Sequence, residues 1–328
     1  MKRSELKPNG TVEKFNELLI RDIERLKLST SDTEDIACPV CDSRVRSLYG
    51  QKYGFFLSRC SECSMVYVNP RPTQNSLVRF YRDSTASAYF QEHIIRATEQ
   101  HRFLRIVKPR LEYITQVVPI KGAWLDIGCS TGMLLSEGRG LGWDVHGIEF
   151  EPGSISQARK NGITIYDSPI EKLSLNNSFE LITMFEVLEH VGSPLDTLTA
   201  CYHANKANGY IVITVPNIDG VEFNVLGVGH SNVCPPGHLN YFSPETLSNI
   251  LNRVGYEIVH CATPGKLDVD NMRSHFHKNK LSTGSDFLDK IILSNDPDSE
   301  SLRLDLQRLI ENSGSSGHLR VVAIKRVS

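Results

Sequence analysis

The run Trp124-Leu125-Asp126-Ile127-Gly128-Cys129-Ser130-Thr131-Gly132 decides how the rest of the chain is read. A short apolar stretch carries Asp126 near its end, two glycines bracket a tight turn, and Met133-Leu134-Leu135 resumes with helical character. Strand, glycine turn and helix make the crossover that opens a parallel nucleotide-binding sheet. Glycine lets backbone approach a ligand closely, and the helix behind it offers N–H groups with no partner in their own first turn. Such turns also occur for purely structural reasons, so the surrounding sequence has to decide between the two.

Downstream, strands and helices alternate regularly. Strands are expected at 123–127, 144–150, 163–166, 180–184, 210–215 and 256–261, with helices from Met133 and near Pro152. Alternation of this kind argues for a doubly wound α/β sheet, and Ile/Val-rich strands suit burial on both faces. A loop of about 20 residues from Ile218 to Pro236 is long enough to read as functional or mobile. It leads to Ser243-Pro244, an N-cap followed by proline at the first helical position. Residues 268–316 are polar with helical tendency, and His318-Leu319-Arg320-Val321-Val322 opens a last strand.

Upstream, Cys38-Pro-Val-Cys41 and Cys60-Ser-Glu-Cys63 are two knuckles with 18 residues between them. This is zinc-ribbon spacing, in which four thiolates close a tetrahedral structural site. The strand formers within 45–57 supply its hairpin. Residues 11–28 form an amphipathic helix suited to packing or oligomer contact. Gln74–Arg82 reads as a short helix and 88–118 as a longer one, with Tyr81, Tyr89 and Arg96 as lid candidates. The expected organisation is a helix over 1–35, a zinc ribbon over 36–72, a helical lid over 73–120 and a cofactor-binding domain over 121–328 with a helical insertion at 268–316.

Composition is that of an ordinary globular protein, and a net charge of −2 gives no broad grip on nucleic acid. No run approaches the roughly 18–20 apolar residues of a membrane helix. The first ten residues lack the apolar core of a secretory signal, so a cytoplasmic protein with cysteines as thiols or metal ligands is expected.

Two cofactor readings compete for the glycine turn: a dinucleotide dehydrogenase and a methyltransferase using S-adenosylmethionine. Glu149, at the end of the second strand, could hold ribose hydroxyls in either. Ser130 stands where a dehydrogenase needs its second glycine, and Asp126 suits a cationic amino-acid ligand better than a diphosphate. The methyl donor is therefore favoured.

The segments D-I-G-C-S-T-G, G-I-E-F-E-P, F-E-V-L-E-H-V and H-L-N-Y-F-S-P-E-T-L together resemble class I S-adenosylmethionine-dependent methyltransferases. The ribbon followed by V-Y-V-N-P-R-P resembles bacterial zinc-ribbon methyltransferases of cell-surface sugar pathways. The resemblance implies a seven-stranded Rossmann-like sheet whose last strand, 319–325, is antiparallel. It implies that Asp126 and the backbone of Gly128, Cys129, Ser130, Thr131 and Gly132 hold the methionine end of the donor. Glu149 would take the ribose hydroxyls, Phe150, Ser168 and Ile170 the adenine, and Phe185 the sulfonium side, where an aromatic face suits a cation.

Beyond the fourth strand, Glu186, Glu189 and His190 stand at i, i+3 and i+4, one face of a helical turn, with His238 a further candidate. Three roles remain open for this group. A histidine could act as general base, the four residues could hold a divalent ion such as Mg²⁺, or they could simply orient the turn. The E-x-x-E-H pattern resembles ubiquinone-pathway O-methyltransferases and small-RNA 2′-O-methyltransferases, where such residues hold magnesium. His93, His101, His146, His203 and His275 are expected at the surface or in packing. The expected reaction is O-methylation of a small molecule, a sugar or sugar nucleotide by resemblance. An RNA methyltransferase, a ubiquinone-type O-methyltransferase and a non-enzymatic ribbon scaffold are the alternatives.

Overall fold

The alternation after Gly122 builds one seven-stranded sheet in a computed structural model that describes residues 3–26 and 28–326. Met1, Lys2, Lys27, Val327 and Ser328 lie outside the described residues, and with them one position of the expected 11–28 helix and the ends of the 1–35 and 121–328 segments. The strands are β1 (Ala123–Ile127), β2 (Asp144–Ile148), β3 (Thr164–Tyr166), β4 (Phe179–Phe185), β5 (Asn205–Pro216), β6 (Glu257–Ala262) and β7 (His318–Ile324). Their order across the sheet is β3-β2-β1-β4-β5-β7-β6. Only β7 runs against its neighbours.

Burial on both faces explains the strand composition. Leu125, Ile127, Ile182, Met184, Ile211 and Ile213 pack in one core. Trp124, Leu181, Val212 and Val322, one residue out of phase, pack in the other. This two-residue period is the pleat, and each large side chain so buried contributes roughly 1.5–3 kcal/mol. The chain leaves β1 toward β2 on one side while β4 lies on the other. The crevice at their carboxyl ends is the topological switch point where open α/β sheets take ligands.

Helix starts follow the capping signals. Ser243 accepts the amide of Thr246, whose hydroxyl in turn accepts the amide of Ser243, and Pro244 opens the helix Pro244–Val254. Such a cap contributes about 1 kcal/mol. Glu151 caps the helix Pro152–Lys160 by accepting from Gly153 and Ser154.

The hairpin expected between the cysteine pairs is present, Arg46–Lys52 against Phe55–Cys60, and is extended by Val66–Val68 and then by Asn240–Tyr241 from far along the chain. Cys38, Val40, Cys60, Met65 and Tyr67 share one core with Leu125, Phe242 and Leu247. Arg253 donates to the carbonyl of Val40 at 2.7 Å and pairs with Asp42, fixing the first knuckle on the helix Pro244–Val254.

Three local expectations change. The 218–236 stretch contains a helix, Val221–Leu226, and a turn, Gly227–Gly229, held by buried Ile218, Phe223 and Val233. The 88–118 helix is broken into short pieces, with wide five-residue turns at Gln91–Ile95 and Phe103–Val107. The N-terminal helix is Thr11–Leu26. The insertion expected to be helical holds Asp268–Asn279, Asp286–Ile292 and Pro297–Asn312. Among the described residues, no helix is long and apolar enough to cross a membrane.

Candidate active site

The glycine turn wraps the carboxyl end of β1. Gly128 has φ +75° and Gly132 φ +77°, backbone that side chains rarely adopt. A Cβ on Gly128 would stand 2.6 Å from Val187 Cγ2, and one on Gly132 would collide with Ile163. Gly132 caps the helix Met133–Gly140 without a side-chain acceptor, so first-turn amides face the crevice. Cys129 turns inward, and a Cβ on Gly147 would strike its sulfur; the small residue at 147 makes the room. Burial pushes the Cys129 thiol up, which keeps it unreactive. Thr131 offers its carbonyl to Asn161 Nδ2 at 3.3 Å.

Asp126 is 5% exposed, and Thr183 Oγ1 donates to its Oδ1 at 2.5 Å. Trp124 Nε1 donates to the same hydroxyl at 2.9 Å, which aims the Thr183 proton at the carboxylate. Burial raises Asp126 to about 7, opposed by Thr183 and by Arg110. Glu149 accepts from the amides of Ser130, Phe150 and Glu151 at 2.7–3.0 Å and so ties β2 to the glycine turn. Phe150 is exposed and lines an open groove of about 790 Å³ with Ile155, Arg159 and Asp167. Ser168 is half-buried, but Ile170 is 2% exposed and packs with Phe179 and Ile182 in the core. Its side chain supports the β3 turn from behind rather than lining an open pocket.

Arg110 has no mark in the sequence, because one arginine on a polar helix carries no local signature. Its guanidinium lies 4.3 Å from the centre of the Phe185 ring, next to Asp126 and Glu186. Phe185 thus presents its π face to a cation.

The expected face of Glu186, Glu189 and His190 is divided. Glu186 has φ +61°, which breaks the helical spacing. Its carboxylate accepts from Thr214 Oγ1 at 2.9 Å and pairs with His318 Nδ1 at 3.5 Å. The potential ligand atoms of Glu189, His190 and His238 instead lie within 4.8 Å of one another. Glu189 is 1% exposed, and neither carboxylate oxygen has a hydrogen-bond partner. His190 Nδ1 lies 2.7 Å from the carbonyl of Gly237, which assigns the proton to that nitrogen and leaves Nε2 free, 3.9 Å from Glu189 Oε1. His238 crosses His190 edge to face at 4.6 Å, and its Nδ1 is unpartnered. Burial raises Glu189 well above the usual carboxylate range and lowers both imidazoles.

Tyr81 reaches this cluster, donating to the carbonyl of Gly237 at 3.1 Å. Tyr89 instead packs on His93, while Arg96 pairs with Glu92 and lies near Glu151. His146 packs between Tyr166 and Phe179. His230 and His318, each paired with an acid, give no pattern in sequence because their partners, Glu222 and Glu186, arrive from other elements.

The sulfurs of Cys38, Cys41, Cys60 and Cys63 lie within 4.8 Å of one another, with 3.5 Å between Cys38 and Cys63 and between Cys41 and Cys60. A tetrahedron with Zn–S of about 2.3 Å has edges near 3.8 Å, so the four could close on one ion. Asp42 and Ser64, each following the second cysteine of a knuckle, share φ +62°.

A family model described as a methyltransferase domain matches residues 97–261. A ubiquinone biosynthesis O-methyltransferase of Marinobacter nauticus is 28% identical over 209 residues, 58% of this chain and 84% of that protein. Another, from Cereibacter sphaeroides, is 30% identical over 176 residues, 46% and 71% respectively. Among solved structures, a chain of the Haloferax volcanii complex between the Trm112 methyltransferase activator and a methyltransferase is similar in fold. It shows 13% identity over 73% of this chain and 97% of that one, with a TM-score of 0.51. A strand order with one reversed strand and a glycine turn at the switch point are what such a domain requires. The chain belongs to the methyltransferase-domain family and is an S-adenosylmethionine-dependent methyltransferase.

Proposed function

We propose that the protein O-methylates a small molecule carrying a hydroxyl beside a second oxygen, and that Glu189, His190 and His238 hold a divalent ion that orients those oxygens. One observation carries this reading: the Glu189 carboxylate is buried with both oxygens unpartnered, beside two imidazoles that burial keeps neutral. A buried carboxylate without partners costs several kcal/mol unless it protonates or a cation arrives. Two nitrogens and a carboxylate suit Mn²⁺, Fe²⁺ or Zn²⁺ better than Mg²⁺. Glu186 stands outside the ligand set and braces the end of β4 against β5 and β7.

The donor, when bound, supplies a methyl group already activated on a sulfonium. Asp126 would take its ammonium, Arg110 its carboxylate, Glu149 the ribose, and Phe150 and Ser168 the adenine. The inward amides and positive-φ glycines fit such a ligand, and a side chain at 128 or 132 would strike Val187 or Ile163 and displace the turn that forms the cradle. His190, with Nδ1 fixed on Gly237, would have Nε2 free for the ion or for an acceptor proton.

For the acceptor we favour a sugar or sugar nucleotide, on the likeness of the ribbon and V-Y-V-N-P-R-P to sugar-pathway methyltransferases. The relatives' names make a ubiquinone precursor the competitor. The four cysteines are assigned a structural zinc, and their thiolate chemistry suits the cytoplasm. Transfer of a radiolabelled methyl group onto panels of sugar nucleotides and catechols, with and without chelator, tests the reading. Chelator-sensitive labelling of a vicinal diol is expected; full activity in chelator, or labelling confined to RNA, would overturn it.

A further inference from the structure

Four cations line the approach from Phe185 to the 230–238 loop. Arg110 stacks on Phe185. Arg102, eight residues earlier, donates among the described residues to Thr98 Oγ1 and has Arg110 as its charged neighbour. Lys7 follows the helix Arg3–Leu6, which packs on Glu99–Arg102, and its charged neighbours are Arg3, Glu222, Arg102 and Cys234. Lys52, at the end of the ribbon strand, donates to the carbonyl of His230 at 2.8 Å and also faces Cys234. Cys234 in turn neighbours Glu189, so the row borders the acceptor cluster.

Among the described residues, no carboxylate stands within 4.0 Å of any of these four cationic groups. Glu222, the acid facing Lys7, is already held by His230 Nε2 at 2.7 Å and Asn271 Nδ2 at 3.1 Å. Some cations elsewhere do meet a carboxylate, as Lys206 meets Glu180 and Arg46 meets Asp35. Burial lowers all four, Lys52 to about 8 and Arg102 to about 10. Arg110 has Asp126 and Glu186 nearby, but Lys7, Lys52 and Arg102 are half-buried with no carboxylate in contact among the described residues, which is costly and leaves a compensating charge for a ligand to supply.

We infer that Lys7, Lys52 and Arg102 form an anion subsite of the acceptor pocket, which takes a phosphoryl group carried by the methyl acceptor. Arginine grips a phosphate with a planar fork and lysine adds a mobile point charge, a combination suited to a monoester or diphosphate. The inference rests on the small-molecule reading above and narrows it to a phosphorylated acceptor.

The test is calorimetric titration of inorganic pyrophosphate, then of a panel of nucleoside-diphosphate sugars, into the zinc-loaded protein holding S-adenosylhomocysteine. Lys52→Met and Arg102→Leu are compared with wild type. Wild type should bind pyrophosphate at one site, and each variant should bind it at least roughly tenfold more weakly, the loss of one charge-assisted contact. Both variants should keep wild-type affinity for S-adenosylhomocysteine and match or exceed wild-type thermal stability without anion, since an uncompensated charge is gone. A parallel loss of sugar-nucleotide affinity assigns the subsite to the acceptor. Sugar-nucleotide binding indifferent to both substitutions would overturn that assignment. Absent pyrophosphate binding, or variants that bind it like wild type, would overturn the subsite itself. Normal S-adenosylhomocysteine binding in that case leaves the methyltransferase reading standing; its failure would count against the donor site instead.

Discussion

Lowering the pH should weaken donor-product binding through one carboxylate. Burial holds Asp126 at about 7, and the ligand's ammonium needs the ionised form. In the free protein the ionised fraction is roughly one tenth at pH 6 and nine tenths at pH 8, so the apparent Kd for S-adenosylhomocysteine should rise about tenfold from pH 8 to pH 6, or about 1.4 kcal/mol. The linkage to stability has a definite sign. The folded-state value lies above the unfolded 3.8, so the folded protein binds this proton more tightly, and stability falls as pH climbs from about 4 through 7. Three units amount to at most about 4 kcal/mol. A bound ammonium offsets that loss, so S-adenosylhomocysteine should raise Tm more at pH 8 than at pH 6. Glu186 raises His318 against the pull of burial, which brings a second group near this range. Calorimetry from pH 6 to 8 should therefore include Asp126→Asn, which should bind weakly and without the slope. Equal affinity at pH 6 and 8, or an unchanged slope in the variant, would refute the reasoning.

Gly132→Ala forces a Cβ into left-handed backbone, about 1–2 kcal/mol, and against Ile163, about 1–3 kcal/mol more. Urea denaturation should show a loss of about 2–5 kcal/mol; a midpoint within error of wild type would count against the cradle. Metal analysis should find about one zinc per chain. Cys60→Ser should lose it and lower Tm steeply, because that knuckle shares its core with Leu125 and Phe242. Zinc-free protein of unchanged Tm would contradict a structural role. Glu189→Gln should reduce methyl transfer at least about a hundredfold while S-adenosylhomocysteine affinity stays put, and a variant of near-normal turnover would remove Glu189 from the chemistry.

What could be read from sequence follows the range of the forces involved. Asp126, Gly128 and Gly132 were legible because strand, turn and helix are local and glycine carries its own signal. The sheet was legible because two-faced burial imprints Ile, Val and Leu on its central strands. Ser243-Pro244 announced its helix through capping chemistry alone. The division of Glu186 from Glu189 was not legible, since it depends on one positive φ and on Thr214 and His318 arriving from β5 and β7. Arg110, Lys7, Lys52 and Arg102 were invisible for the same reason: they come from separate segments, and no local pattern marks them. The motif points Ile170 at the adenine pocket, and its burial in the core is a tertiary fact.

The claim that Glu189, His190 and His238 form a divalent-ion site is tested most directly by Mn²⁺ binding to zinc-loaded protein, followed by electron paramagnetic resonance. One Mn²⁺ per chain should bind in wild type and in Glu186→Gln, and binding should vanish in Glu189→Gln and His238→Ala. No Mn²⁺ bound by wild type, or binding that survives Glu189→Gln, would contradict the account.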